Sequence, residues 1–338
     1  MASASRLRLR RRLLPRGPDS VQFGIDAGVV LGGLSPGEQD VLNALTLPRT
    51  YPQLYAVAAR HGIPGRRVDR LVAVLLDHDL LGPVPVDRLA LAGVPIGLAD
   101  TLVHDARLAA DSASTLADRA GADLAQRVLR RHTRRILVDG TGGLATDVAD
   151  GLRRAGVGDV RLGTMAADDL DLSLRSRDPV VADDPPALVV LVAADALEAD
   201  RADPWWRRGI PHLPVVSEGA RVSVGPLVGP WRDGACLRCL DLHRADVDPA
   251  WPSVLASAAA GRAPGGRART DTTLSTTVAG VVAMLACGVL DGRPVPAGVA
   301  LEVSLPFPRL DHRRWERHPR CGEHGWYGTA LGRVTMAG

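Results

Sequence analysis

The chain has 338 residues, 46% of them apolar, enough for two domains with sizeable cores. Its basic residues number 41 and none is lysine, which excludes any P-loop lysine, Schiff-base lysine or lysine general base. The net charge of +3 is scattered among carboxylates, which argues against a nucleic-acid face, and no unbroken apolar run reaches the roughly 18 residues of a membrane span.

Residues 1–85 read as a small α/β module. Residues 6–12 are basic with no apolar run behind them, so no secretion signal is read and the cytoplasm is the expected compartment. Strands are expected over residues 6–14 and 21–31. Ser35-Pro36-Gly37-Glu38 is a helix start: Ser35 caps, Pro36 takes the first turn, and Glu38 reaches back to the cap amide. A second helix should run from Tyr51 to His61, capped by Thr50 and stopped by Gly62. A third starts at Pro64 and carries Val68, Leu71, Val74, Leu75 and Leu80 to Gly82. Three short helices with a strand pair predict a winged helix-turn-helix. The third helix mixes Arg66, Arg67 and Arg70 with Asp69, Asp77 and Asp79, which ranks peptide binding above DNA binding.

Residues 86–133 follow as linker and amphipathic helix. Pro83, Pro85, Gly93, Pro95 and Gly97 mark a linker with one short helix, and residues 114–133 a helix on Leu116, Ala120, Leu124 and Val128. A second domain is expected over 134–330, with a tail at 331–338. It opens with a short apolar strand, Ile136 to Asp139, then Gly140-Thr141-Gly142-Gly143-Leu144-Ala145, a helix on Leu144, Val148 and Leu152, and a strand at 157–162. Further strands are expected at 187–193, 213–216 and 222–228, a loop at 258–272 and an apolar helix at 277–290.

Strand, glycine-rich turn, helix and strand form the setting of a nucleotide site, with Gly140, Gly142, Gly143 and Ala145 as the residues that let backbone amides approach a phosphate. The acidic residue that would hold a ribose at the end of the second strand is displaced: the first carboxylates are Asp168 and Asp169. A tight turn without a ligand is the preferred reading of these glycines.

Cys236-Leu237-Arg238-Cys239 and Cys321-Gly322-Glu323-His324 supply a tetrahedral zinc set of three sulfurs and one imidazole. The halves lie far apart in the chain, so the site would be a clasp on the C-terminal segment, closed by four protein ligands and therefore structural. Glu323 or His318 are alternatives to His324. Cys287 lies in the apolar helix and reads as core. The stretch 242–252, with His243, Asp246 and Asp248, reads either as acid–base chemistry or as a charged helix surface. Trp205-Trp206 reads as a partner-facing patch or a loop packed on the sheet.

The glycine-rich turn and the paired cysteine halves resemble the ThiF/MoeB/HesA superfamily, the fold of ubiquitin-activating enzymes. Gly225-Pro226-Leu227-Val228, then Cys236 to Arg244, then Asp248-Pro249-Ala250-Trp251-Pro252, resemble more specifically the ThiF-like leader-peptide-binding, cyclodehydratase-partner proteins of azole-type ribosomal peptide pathways. The resemblance covers nearly the whole chain. It implies an α/β fold, a Rossmann-like ThiF-type sheet with helices on both faces, after a small winged-helix domain related to PqqD. The strand-plus-three-helix pattern of residues 1–85 is expected to add an extended peptide as a strand beside Val21, Phe23 and Ile25. The resemblance implies that this is a precursor leader peptide and that a YcaO-type partner performs the ATP-dependent cyclisation; a homodimer is also compatible. Adenylating members bind ATP and magnesium. Asp195 matches their magnesium aspartate, but the strand-end acid, a Ser-Asn-Leu stretch and the lysine have no counterpart here. A non-adenylating scaffold is therefore expected. The alternative is an adenylyltransferase of a C-terminal carboxylate that uses Arg153, Arg154 or a dimer mate's arginine, and the third reading is a winged-helix DNA regulator.

Overall fold

A computed structural model describes residues 6–25, 28–83, 91–112, 118–163, 185–229, 234–260 and 270–326. Asp168, Asp169 and the tail at 331–338 lie outside them, as does most of the loop expected at 258–272. The chain divides into two compact units, Met1–Leu129 and Arg130–Gly338.

In the first unit, strands β1 (Leu7–Leu9) and β5 (Leu81–Pro83) pair antiparallel, and β2 (Leu13–Gly17), β3 (Ser20–Phe23) and β4 (Val29–Leu31) form a separate antiparallel sheet in that order. Helices α1 (Pro36–Ala44), α2 (Tyr51–Ala59) and α3 (Gly65–Asp77) complete a core on Phe23, Leu42, Leu45, Leu54 and Leu75, all fully buried. The capping box forms: the Glu38 amide donates to Ser35 Oγ, and the Ser35 amide donates to Glu38 Oε2 at 2.9 Å. Arg67 pairs with Glu38 at 2.7 Å, so one of the three arginines of α3 is committed inside the unit.

Two expectations change here. β3 is the middle strand and both its edges are occupied, so no peptide can add beside Val21 and Phe23; both side chains are buried in the core, and only Ile25 is exposed. The sequence places apolar residues in a strand but is silent on which strand lies at an edge. The stretch read as linker carries a long helix, α4 (Ile96–Ser112), packed on α5 (Asp118–Leu129). Pro95 and Gly97 punctuate its start rather than its whole length, and Leu102, Val103, Ala106 and Ala109 bury one face.

The second unit is built on a seven-stranded sheet ordered β12-β11-β10-β9-β8-β6-β7. The strands are β6 (Arg135–Asp139), β7 (Asp159–Leu162), β8 (Leu188–Ala194), β9 (His212–Ser217), β10 (Arg221–Val224), β11 (Val299–Ser304) and β12 (Arg309–Arg314). β7, β6, β8 and β9 are parallel, whereas β10, β11 and β12 continue the sheet antiparallel. β8 is apolar throughout because both of its faces are covered. Leu188, Val190 and Val192 face α6 (Gly143–Arg154) and α10 (Thr272–Leu290). Val189, Leu191 and Ala193 face Trp205, on α7 (Asp203–Arg207), and α8 (Leu237–Val247). Two further helices are α9 (Trp251–Ala260) and α11 (Glu323–Trp326).

α10 is long and apolar enough to cross a membrane, but 61% of its most apolar window is buried, and it packs on α6 as a core helix. Cys287 is buried in it. Arg131 and Asp291 are buried and joined by a two-pronged pair at 2.9 and 2.6 Å, fastening the chain ahead of β6 to the end of α10.

His212 on β9 is fully buried, with one ring nitrogen 3.3 Å from the Ile210 carbonyl. Burial disfavours its charged form and lowers its pKa from 6.5 to about 4, against the smaller opposing effect of that hydrogen bond. The unfolded chain therefore binds a proton that the folded chain refuses between those values, so stability falls as pH drops from 7 towards 4. Urea unfolding should show wild type losing about 2 kcal/mol more than His212→Gln between pH 7 and pH 5. Equal losses would refute this assignment.

Candidate functional site

Three places in the second unit carry chemistry. The first lies between β6 and β8, where the strand connections diverge, the position at which open α/β sheets bind ligands. Gly140 ends β6 against β8: a Cβ there would meet Val192 Cβ at 2.7 Å and the Val192 carbonyl at 2.8 Å. Gly142 has φ +90°, a conformation that favours glycine, and caps α6. Gly143, in the first turn, faces open space. Ala145 is buried in the helix–sheet core and points away from any ligand. Asp139 at the end of β6 is buried and neutralised by Arg201 at 2.9 Å. Gly140 is thus a packing glycine and Gly142 a capping one.

Arg153 and Arg154 stand at the opposite end of α6, one helix length or about 16 Å from its N-terminus at 1.5 Å per residue. Arg153 is engaged by Asp150 and the Val160 carbonyl. Neither reaches a phosphate at the turn of the same chain.

The second place is the cysteine–histidine cluster. The ligand atoms of Cys236, Cys239, Cys321 and His324 all lie within 4.8 Å of one another. Cys236 Sγ is 3.7 Å from both Cys239 Sγ and Cys321 Sγ, and His324 Nε2 is 3.0 Å from Cys239 Sγ. Sulfurs about 2.3 Å from a tetrahedral zinc stand about 3.8 Å apart, so the sulfur spacings fit that ion and the four residues could hold a metal such as zinc. Cys236 caps α8 and Cys239 sits in its first turn. The hydrogen bond from the Cys236 thiol, helped by backbone amides, lowers the Cys239 pKa to about 4. The proton shared by that pair stays on Cys236, whose pKa rises.

The other candidate ligands are occupied elsewhere. His318 Nε2 bonds Asp246 at 2.7 Å, and Glu323 faces Arg238 at 3.5 Å. Trp206 stacks edge-on to His324 at 6.0 Å and Trp205 is buried, so the tryptophan pair is packing rather than an exposed patch.

The third place brings together Asp195 and the stretch 242–252, which the sequence singled out separately, with residues 313–316, which it did not. An open cavity of about 720 Å³ lies beyond the ends of β8 and β9, lined among others by Asp195, Arg244, Trp251, Arg314 and Trp315. Asp195, with φ +61°, thus belongs to this cavity, whose lining does not include the glycine-rich turn. The repeated aromatic and arginine residues at 244, 251 and 313–315 were the available hint, but only the fold brings them together.

No protein-family model matches the chain, and no curated protein sequence matches it. The fold is similar to that of solved structures. The heterocyclase TruD superposes with TM-score 0.59 at 17% identity, over 94% of this chain and 42% of TruD, so this chain spans less than half of that protein. E. coli MccB superposes in its structure with MccA at TM-score 0.57 and 12% identity, over 95% of this chain and all (100%) of MccB. The MccB structure with ATP gives TM-score 0.56 at 14% identity, with 95% and 100% covered. Identity at this level shows a shared fold.

The two glycines make a paired prediction. Gly140→Ala should cost about 1–3 kcal/mol through its clash with β8. Gly143→Ala, in open space in the first turn, should be neutral or stabilising by up to about 1 kcal/mol. Chemical denaturation of both variants checks this, and equal effects would refute the division of roles.

Proposed function

We propose that the chain is a ThiF-like scaffold without adenylating activity, which binds a precursor leader peptide and presents it to a YcaO-type modifying enzyme in azole-type peptide biosynthesis. The observation that carries the reading is a strand edge, that of β4, with no pairing partner among the described residues. The Gly24 amide bonds the Arg12 carbonyl, so by alternation the amides of Val21 and Phe23 point to β4, whereas the Val30 N–H and C=O point outward. The outer edge of β2 carries Pro15, which has no N–H, and a register shift between Pro15 and Gly17. β4 is therefore the better acceptor of an extended peptide by strand addition. The fold shared with TruD and with MccB bound to MccA supports a peptide-handling role.

A labelled leader peptide from a precursor encoded beside this gene should bind the full chain in a fluorescence-polarisation titration. Val30→Pro should weaken binding at least about tenfold, since it removes the outward donor and leaves the β3–β4 bonds intact. Absence of binding, or a Val30→Pro variant that binds like wild type, would sink the reading. Carboxylate-dependent ATP–pyrophosphate exchange abolished by Asp195→Ala would instead favour the adenylyltransferase.

In the same proposal, Cys236, Cys239, Cys321 and His324 hold one structural zinc, which supplies cross-linking rather than catalysis because four protein ligands leave no open position. Metal analysis of purified protein should return about one zinc per chain. Cys236→Ser should lower both metal content and Tm, and a metal-free protein with unchanged Tm would overturn the assignment.

A further inference from the structure

The cavity beyond β8 and β9 contains an arginine, Arg244, whose one ion-pair partner among the described residues, Asp241, stands too far away for a hydrogen bond. The Arg244 guanidinium lies 4.8 Å from the Trp251 ring centre and 5.7 Å from that of Trp315, and Arg313 covers Trp315 at 4.0 Å. These ring contacts hold the Arg244 cation without using its N–H donors. Among the described residues it makes no hydrogen bond. Its ion-pair partner, Asp241, stands 3.9 Å away, and the same Asp241 oxygen accepts from the Trp251 indole N–H at 3.1 Å. Arg244 is only 33% exposed, and burial pulls its pKa below the ordinary arginine value. A half-desolvated guanidinium with unused donors, opening into a cavity, is a pre-arranged seat for an anion.

The remaining charges narrow the class of that anion. Glu218 is held by Arg221, and Asp248 accepts from the Ala250 amide at 3.0 Å. Asp195, Arg314 and Glu316 also line the cavity and have no side-chain partner among the described residues. Two free acids beside the arginines disfavour a bare dianion such as phosphate. They suit a ligand that brings hydrogen-bond donors along with its negative charge, as peptide amides do.

We propose that this cavity is a carboxylate-recognition site, in which Arg244, held between Trp251 and Trp315, takes the carboxylate of an acidic side chain or C-terminus of a bound peptide. That the ligand is a peptide rests on the function proposed above; that the site takes a carboxylate does not.

The test uses the full chain, with binding followed by calorimetry and tryptophan fluorescence. The probes are a capped tetrapeptide with one Asp, its Asn counterpart, an uncharged tetrapeptide with a free carboxyl terminus, and inorganic phosphate. The Asp peptide, the free carboxyl terminus, or both should bind at least about tenfold more tightly than the Asn peptide, the value of one charge-assisted hydrogen bond. Which of the two binds identifies the source of the carboxylate. Arg244→Gln should abolish the preference, Arg244→Lys should restore part of it, and Arg314→Gln, an exposed substitution that keeps the fold, should weaken it about threefold or more. Equal binding of the Asp and Asn peptides, tighter binding of phosphate, or an unchanged preference in a folded Arg244→Gln variant would overturn the proposal. Leader-peptide binding measured in parallel separates the two claims: intact leader binding without a carboxylate preference overturns this inference alone.

Discussion

One long contact governs the chemistry-bearing side of the second unit: the attachment of α8 to residues 315–324. It begins where His243 donates to the Glu316 carbonyl at 2.9 Å. It continues through Asp246, which binds both His318 and Arg320, and closes on the cluster of Cys236, Cys239, Cys321 and His324. Asp246 stays ionised because His318 and Arg320 hold its pKa below the usual carboxylate value. The individual exposed ion pairs in such a seam are weak, but together they keep the end of β12 and Trp315 against α8. The cluster anchors one end of the seam and the Arg244 stack the other, so a change at Cys236 should also be felt at the cavity.

The carboxyl ends of the parallel strands therefore carry two different places. Between β6 and β8, Gly142 caps α6 at φ +90° and Gly143 faces open space, while Gly140 serves the packing of β6 on Val192. Beyond β8 and β9, Asp195 and Arg244 line a cavity walled by indoles. Asp195 lies among the arginines and indoles of that cavity.

Most local structure was legible in the sequence. Ser35, Pro36 and Glu38 announce α1, because capping is an interaction between residues close along the chain. The run from Ala187 to Ala193 announces a strand, and the structure buries it on both faces. Two pairs of metal-ligand residues announced a joint site, since few other roles bring together three of only four cysteines. The stretch before Ile96 misled because proline and glycine mark an end without saying what begins there.

The absence of lysine excluded whole classes of catalyst before any fold was known. The sequence also determined most of the element types and the four residues of the cysteine–histidine cluster, which depend on side-chain chemistry and short-range spacing. The tertiary structure alone decided that β3 is central and β4 at the edge of its sheet, that Arg153 and Arg154 lie far from the turn, and that Asp195 lies with Arg244. Strand order and helix polarity decide these outcomes, because they bring together residues far apart in the chain and are not encoded in any local pattern.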